Sequence, residues 1–320
     1  MFEKLEIFVN KWTDSSNPWT NVYGVARSLL ALSTLLTLLI NDVHTFFRPA
    51  AGINSYPLCQ KGDINLFCMV SADNLEIARW IAIIILIIVV SGWRPQITGG
   101  LHWFIAYSFQ NSAIGLDGGE QVCTVLTLLL LPITLTDKRK WHWSINEDVS
   151  NNVYIRLIAL SAYVAIRIQV AIIYFHAGLA KLFKKEWIDG TAVYYYLEDT
   201  TFGLNAIQNE LFHPVLSSAF VVIPTWGTII LEFLLFSALF APKKYWKPFL
   251  IGGFMLHFFI ALMLGLISFS MIMFAALILF LRPINQPFGL LKPEAKTVIN
   301  LIYPFKKFIS NKSIIEGGDK

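Results

Sequence analysis

Residues 154–190 read YIRLIALSAYVAIRIQVAIIYFHAGLAKLFKKEWIDG. From Tyr154 to Lys181 this run is long enough, at 1.5 Å per residue, to span roughly 40 Å as a helix, so it crosses a bilayer with some tilt. It carries Arg167, Gln169, His176 and Lys181 among apolar neighbours and ends in Trp187, Asp189 and Gly190. A lysine in a membrane helix pairs, snorkels to the headgroups or takes part in chemistry. Lys184 and Lys185 follow directly, so a snorkelling cluster and a reactive amine both remain open.

The composition agrees with a membrane reading. Of 320 residues, 56% are hydrophobic and 14% charged, against about a quarter charged in soluble domains. Mean hydropathy is +0.59. Several stretches reach the roughly 20 apolar residues a membrane helix needs. The expected fold class is therefore all-α, a polytopic membrane protein with about eight transmembrane helices in one domain over 1–320. The formal net charge of +4 is read through topology, and no nucleic-acid surface is expected. Residues 1–20 are polar and mixed in charge, without the apolar core of a cleavable signal peptide. The first membrane helix is expected to act as an uncleaved insertion signal.

The other spans fall around this helix. Upstream, helices are expected at about 22–40, 77–93, 97–112 and 122–135, and downstream at about 214–240, 248–266 and 269–281. Trp19 and Tyr23 stand where interfacial anchors stand. The Gly118-Gly119 pair reads as a break within a turn at 116–121, and about thirty residues after Lys181 read as a loop. The tail from Pro283 is basic, with Val298, Leu301, Ile302 and Phe305 at helical spacing, and is expected on the membrane surface. With both ends inside, the inner segments hold sixteen Lys and Arg and the outer ones six. That asymmetry predicts a multi-pass protein of the bacterial cell membrane with both termini cytoplasmic, and it places the Cys59–Cys68 loop and Lys181 outside.

Few residues could carry chemistry. Cys59 and Cys68 enclose eight residues in an outer loop, which favours a disulfide in an oxidising compartment. A structural staple and a redox pair both remain open, although there is no Cys-x-x-Cys spacing to activate a thiol. Cys123 reads as a core thiol. Counted from the inner helix ends, Arg167, Glu232 and His257 lie at one depth, roughly 12–17 Å in. They form either a neutralised polar layer or a cavity that holds a ligand or relays protons. Lys181 reads as higher, level with Asn111, Asp117, Glu120 and Gln121. Its helix face also carries Arg167, Tyr174 and Gly178, with His176 turned away by about 140°. Gly178 leaves room for another helix or a flat ligand. A desolvated lysine there can lose its proton and act as a base. No P-loop, no zinc-type Cys/His spacing, no His-Glu-x-x-His and no Gly-x-Ser-x-Gly occurs, so ATP-driven transport and serine or zinc proteolysis lose support. No metal site is expected.

The stretch Tyr174, Phe175, Ala177, Gly178, Lys181, Leu182, Trp187 and Gly190 resembles the vitamin K-dependent γ-carboxylase family and its bacterial relatives with horizontally transferred transmembrane (HTTM) domains. That resemblance implies that Lys181 is the catalytic base, and that Glu232 and His257 are the acidic and histidine residues following it. It implies a peptide-modifying enzyme that uses a membrane quinol. The spacer before Trp187 is one residue longer than in the carboxylases, and Leu256 precedes His257 where they have Phe. Those enzymes continue into a large soluble domain that grips the substrate; here a partner would have to supply that surface.

Nearly the full length, including Asn17 to Gly24, the Leu58-Cys59 to Phe67-Cys68 loop and Asn111 to Gln121, resembles the SdpB family of cannibalism-toxin operons. This implies a part in producing and maturing a secreted antimicrobial peptide. The implied partners are an SdpC-like toxin precursor, an SdpA-like protein and the lipid bilayer. A non-catalytic scaffold or chaperone for the precursor is the alternative, with immunity or export further behind.

Overall fold

A computed structural model describes residues 2–49, 52, 56–59, 62–144 and 152–289. Its main elements are α1 (Phe2–Ser15), α2 (Asn21–Ile40), α3 (Leu75–Ser91), α4 (Pro95–Ser112) and α5 (Gly118–Thr136). They continue as α6 (Val153–Lys181), α7 (Val222–Ser237), α8 (Trp246–Leu264) and α9 (Ile267–Leu281). Six helical stretches are long and apolar enough to cross a membrane, and α9 is a shorter apolar helix. With α4, whose polar residues include Gln96 and His102, they make an all-α, polytopic membrane protein. The chain divides into Met1–Gln286, which holds all nine labelled helices, and Pro287–Lys320. Of the second unit only 287–289 are described, so the expected amphipathic tail helix lies outside the described residues.

α9 is the hub although it is the shortest of the apolar helices. It packs on α2, α5, α6 and α8, and Met273 to Leu281 are buried except at Phe274. A helix apolar all round belongs inside. Close approach is allowed by small neighbours, because lipid gives little hydrophobic drive between helices and packing decides. A Cβ on Gly119 of α5 would stand 3.1 Å from the Phe269 Cα, and one on Gly253 of α8 would stand 2.8 Å from Leu277. Isoleucines 77, 81, 84, 87 and 88 of α3 are exposed and face lipid.

The bundle has two distinct ends. At the basic end, residues 137–144 fold back over the helices. Arg94 N donates to Lys140 O at 2.8 Å, and His142 N donates to Gly92 O at 3.0 Å. Asn285 ties to Ser15 O at 3.0 Å. At the disulfide end, Cys59 and Cys68 are joined with their Cα atoms 5.7 Å apart. The loop there rests on Phe46, Phe47, Phe67 and Phe109, whose rings pack at 4.9–6.1 Å. Arg79 Nε donates to Leu38 O at 2.7 Å, satisfying one of the last carbonyls of α2.

Several local expectations change. Residues 2–15, read as a polar lead, form α1, which packs on α6. Trp19 and Tyr23 are buried rather than lipid-facing: Trp19 Nε1 donates to Thr136 Oγ1 at 3.1 Å and the Tyr23 hydroxyl donates to Asp137. The Gly118-Gly119 pair opens α5 instead of breaking a helix, because Asp117 caps it through Gly119 N at 2.7 Å. The expected helix at 214–240 is two helices. Pro214 lies inside Ala206–Leu216, and Ser218 caps a new start by accepting from Phe220 N at 3.2 Å. The expected loop after Lys181 holds helices Lys185–Ile188, Ala192–Leu197 and Ala206–Leu216.

Candidate functional site

The end of α6 and the chain after it dock along α7. Trp187 is buried with Ala192, Ile229 and Phe233. Trp226 Nε1 donates to Ile188 O at 3.3 Å, and Val193 N donates to Thr225 Oγ1 at 3.3 Å. Gly190 turns the chain at φ +79, a conformation open to glycine at little cost. This docking carries the chain from Lys181 along the half of α7 that begins at Val222. Lys181 is thus deeper than its place at the end of α6 suggests, because Glu232, its partner, is ten residues or roughly 15 Å along α7 from Val222.

Lys181 and Glu232 form the centre. Lys181 Nζ donates to Glu232 Oε1 at 2.7 Å and Oε2 at 2.9 Å, and to Ala177 O at 3.3 Å. The ammonium also lies 5.1 Å from the centroid of the Trp187 ring. The Glu232 side chain is 8% exposed and that of Lys181 20%. In surroundings of low dielectric such a pair is strongly held, and moving one proton from the ammonium to the carboxylate leaves a neutral amine beside a neutral acid. The same contact can thus store a charge pair or present a base.

A second pair adjoins it. The Tyr174 hydroxyl and His257 Nε2 are 2.9 Å apart, both residues buried. His257 Nδ1 is buried without a hydrogen-bond partner, and its ring meets Phe269 edge-on at 5.6 Å. Lys181 interacts electrostatically with His257, and Glu232 with Tyr174, so the four residues make one polar cluster among aromatics. Phe233 fills the space beside Gly178, 3.2 Å from where a Cβ would stand. The room left by that glycine is therefore taken by α7. Towards the disulfide end, a cavity of about 590 Å³ is lined by Lys185, Glu186, Asp189, Tyr195, Tyr196 and Asp199. Tyr196 packs on Trp187 at 5.8 Å, so the Tyr196 and Trp187 rings stand between this cavity and Lys181. Backbone N–H groups of Phe202 and Thr201 hold the Asp199 carboxyl below its usual range.

The expected layer of Arg167, Glu232 and His257 does not form. α6 overshoots the bundle at the basic end, where Val153 to Ala162 extend towards α1 and Arg156 pairs with Asp14 at 3.6 Å. Arg167 consequently sits level with the start of α8, with its guanidinium 4.1 Å over the Trp246 ring. Asn111 and Asp117 do not join Lys181 either. Exposed Asn111 donates to Tyr107 O at 2.9 Å, and Asp117 is a helix cap. His176 is exposed, as its angle on the helix predicts. Among the described residues no group of three or more His, Cys, Asp and Glu could hold a metal ion.

Other buried polar groups were not singled out by spacing. Arg27 of α2 is fully buried and donates to Thr98 Oγ1 at 2.7 Å, with His142 Nδ1 at 3.3 Å. His102 is buried with Nε2 unpartnered. Glu120 accepts from Thr34 Oγ1 at 3.0 Å. For Arg27 a signal existed: a charge inside an apolar run is as unusual in α2 as in α6.

Comparison with known proteins adds the family. An HTTM domain matches residues 123–284, which covers α6 to α9 and all four residues of the cluster. The uncharacterized protein YitO of Bacillus subtilis (strain 168) is 52% identical over 288 residues, 89% of this chain and 93% of YitO. The sporulation-delaying protein SdpB of the same organism is 41% identical over 278 residues, 86% of this chain and 85% of SdpB. No solved structure matches. The chain belongs to the HTTM family and, within it, to the SdpB-like membrane proteins.

Proposed function

We propose that this protein takes part in producing a secreted antimicrobial peptide of the sporulation-delaying type, and that its Lys181–Glu232 cluster modifies or processes the precursor. The similarity to the sporulation-delaying protein SdpB supports the first half. The observation that carries the second is the Lys181–Glu232 contact at 2.7 and 2.9 Å inside the membrane-spanning part. In this reading Lys181 is the general base and Glu232 takes its proton to free the amine. Tyr174 holds His257 in place through the 2.9 Å contact, leaving Nδ1 to meet a bound molecule. The cavity beyond Trp187 is the approach for an SdpC-like precursor. Both termini are cytoplasmic, so this approach faces outward, and an SdpA-like protein supplies the docking surface for the substrate.

The quinol that the carboxylase resemblance implies fits the donor set. His257 Nδ1 is a buried polar atom without a partner, and Lys181 with Glu232 supplies a base beside aromatic walls. When bound, such a group would supply redox chemistry that the side chains themselves lack.

A scaffold reading has one observation in its favour. The three protons of the Lys181 ammonium all have acceptors, at Glu232 Oε1, Glu232 Oε2 and Ala177 O, as a structural anchor would. Exchange of Lys181 for Ala and for Arg, at matched membrane levels, separates the two. The enzymatic reading expects both to abolish toxin activity and precursor processing, because an arginine stays charged and cannot act as a base. A silent Lys181→Arg supports the scaffold instead.

A further inference from the structure

Arg167 plays no part in the cluster and, among the described residues, has no acidic partner. Its Nε donates to Phe280 O at 3.1 Å and its guanidinium lies 4.1 Å from the Trp246 centroid. Among the described residues the ion pairs are Arg79–Glu76, Arg139–Asp137, Arg156–Asp14 and Lys181–Glu232. None includes Arg167, Lys243 or Lys244. These three line one cavity of about 500 Å³ at the basic end, together with Arg282. Among the described residues no Asp or Glu lines it. Leu160, Val164 and Leu279 give it an apolar side, and Trp246 lines it as well.

Cations gathered in one cavity repel one another unless an anion sits among them. Lys243 and Lys244 can reach water, being exposed. Arg167 cannot move as freely, since Phe280 O and the Trp246 ring hold its guanidinium. A guanidinium held in the wall of a cavity is suited to a phosphate, which it can grip with two parallel hydrogen bonds, while lysines add point charge. Its apolar wall is made by Leu160 and Val164 of α6 and Leu279 of α9, a surface an acyl chain could follow. Basic pockets between membrane helices bind anionic headgroups in this way.

We propose that this cavity binds a phosphate-bearing anion, delivered by the headgroup of an anionic phospholipid in the leaflet at the basic end or by free phosphate. Arg167 grips the phosphate, and Lys243 and Lys244 draw it in. Occupancy then braces α6, α8 and α9 against each other beneath the Lys181 cluster.

The test is thermal unfolding of the full chain in a neutral detergent, titrated separately with phosphatidylglycerol, phosphatidylcholine and inorganic phosphate. Wild type is expected to gain melting temperature saturably with phosphatidylglycerol and little with phosphatidylcholine. Arg167→Gln and the Lys243→Gln/Lys244→Gln double variant should each raise the half-saturating lipid concentration about tenfold. Arg167→Lys, which keeps the charge and loses the fork, should fall between. A saturable gain with inorganic phosphate that the same variants weaken supports the anion site and assigns free phosphate as its source. Lys138 is exposed at the same end but outside the cavity, and Lys138→Gln should leave the titration unchanged. Equal effects of Lys138→Gln and the cavity variants would mean diffuse surface charge and overturn the site. So would the absence of any saturable gain in wild type. If Arg167→Gln does not fold, the double lysine variant decides.

Discussion

Arg27 on α2 and Lys181 on α6 are both charges set inside membrane helices, and the bundle holds them in opposite ways. Arg27 has no exposed surface and, among the described residues, no carboxylate. A hydroxyl from Thr98 and the imidazole of His142 receive it, and residues 137–144 close over it. The fit is tight: a Cβ on Gly92, at φ +82, would stand 2.4 Å from the His142 ring. Lys181 has a carboxylate, keeps part of its surface open, and has the Trp187 and Tyr196 rings between it and a cavity. The first arrangement gives the two outer guanidinium nitrogens partners and leaves Nε buried without one. The second holds an ammonium against a carboxylate with part of its surface open. Burial of a charge is thus no guide to chemistry by itself; what separates the two is a proton acceptor and a path.

Breaking each arrangement should have different consequences. The largest effect is expected at the pair. Lys181→Ala leaves Glu232 buried without its cation, which should cost about 3–5 kcal/mol, and under the proposed function it is expected to abolish peptide maturation. The double variant Lys181→Met/Glu232→Leu should recover most of that stability, since well-packed apolar side chains can replace a buried ion pair, yet remain inactive. Melting in detergent combined with toxin activity separates stability from function; activity in the double variant would make the pair structural. Next comes Gly92→Ala, which meets both a positive φ and the His142 ring and should cost about 1–3 kcal/mol. Protein that still folds should process peptide normally per molecule.

A smaller, pH-dependent effect tests the plug. Burial, then Arg27 and Arg139, push the His142 imidazole down to about 2 from 6.5. The folded state keeps it neutral while the unfolded chain takes up a proton near pH 6.5. Its contribution to stability is therefore complete above about 6.5 and is lost as pH falls from there towards about 2, by at most about 1.4 kcal/mol per unit. Melting at pH 5.5 should lie below that at pH 7.5, and His142→Gln should remove most of this difference. The smallest effect belongs to Arg156 and Asp14, a 3.6 Å pair with Asp14 71% exposed. Asp14→Asn should shift stability by no more than about 0.5 kcal/mol and only at low salt.

Most of the membrane architecture was legible because apolar runs such as 77–90 and 154–181 allow one reading. The Lys181 motif was legible as well. What composition and spacing hid was depth. Counting residues from helix ends put Glu232 with Arg167 and left Lys181 apart, since α6 overshoots at the basic end and α7 stops at Ser237. Loop content was hidden for a related reason: the short helices at 185–188 and 192–197 are held by contacts to α7 and carry little periodicity of their own. The Arg27 plug depends on His142, 115 residues away in the chain, a pairing that only the fold creates.

The most direct measurement is the intact mass of the secreted peptide from cells carrying wild type or Lys181→Ala at matched membrane levels. The account predicts that the wild-type product differs from the variant's, in mass or in disulfide state, by a change that names the reaction. An identical product from both would contradict it, and Lys181 with Glu232 would then be a clamp between α6 and α7.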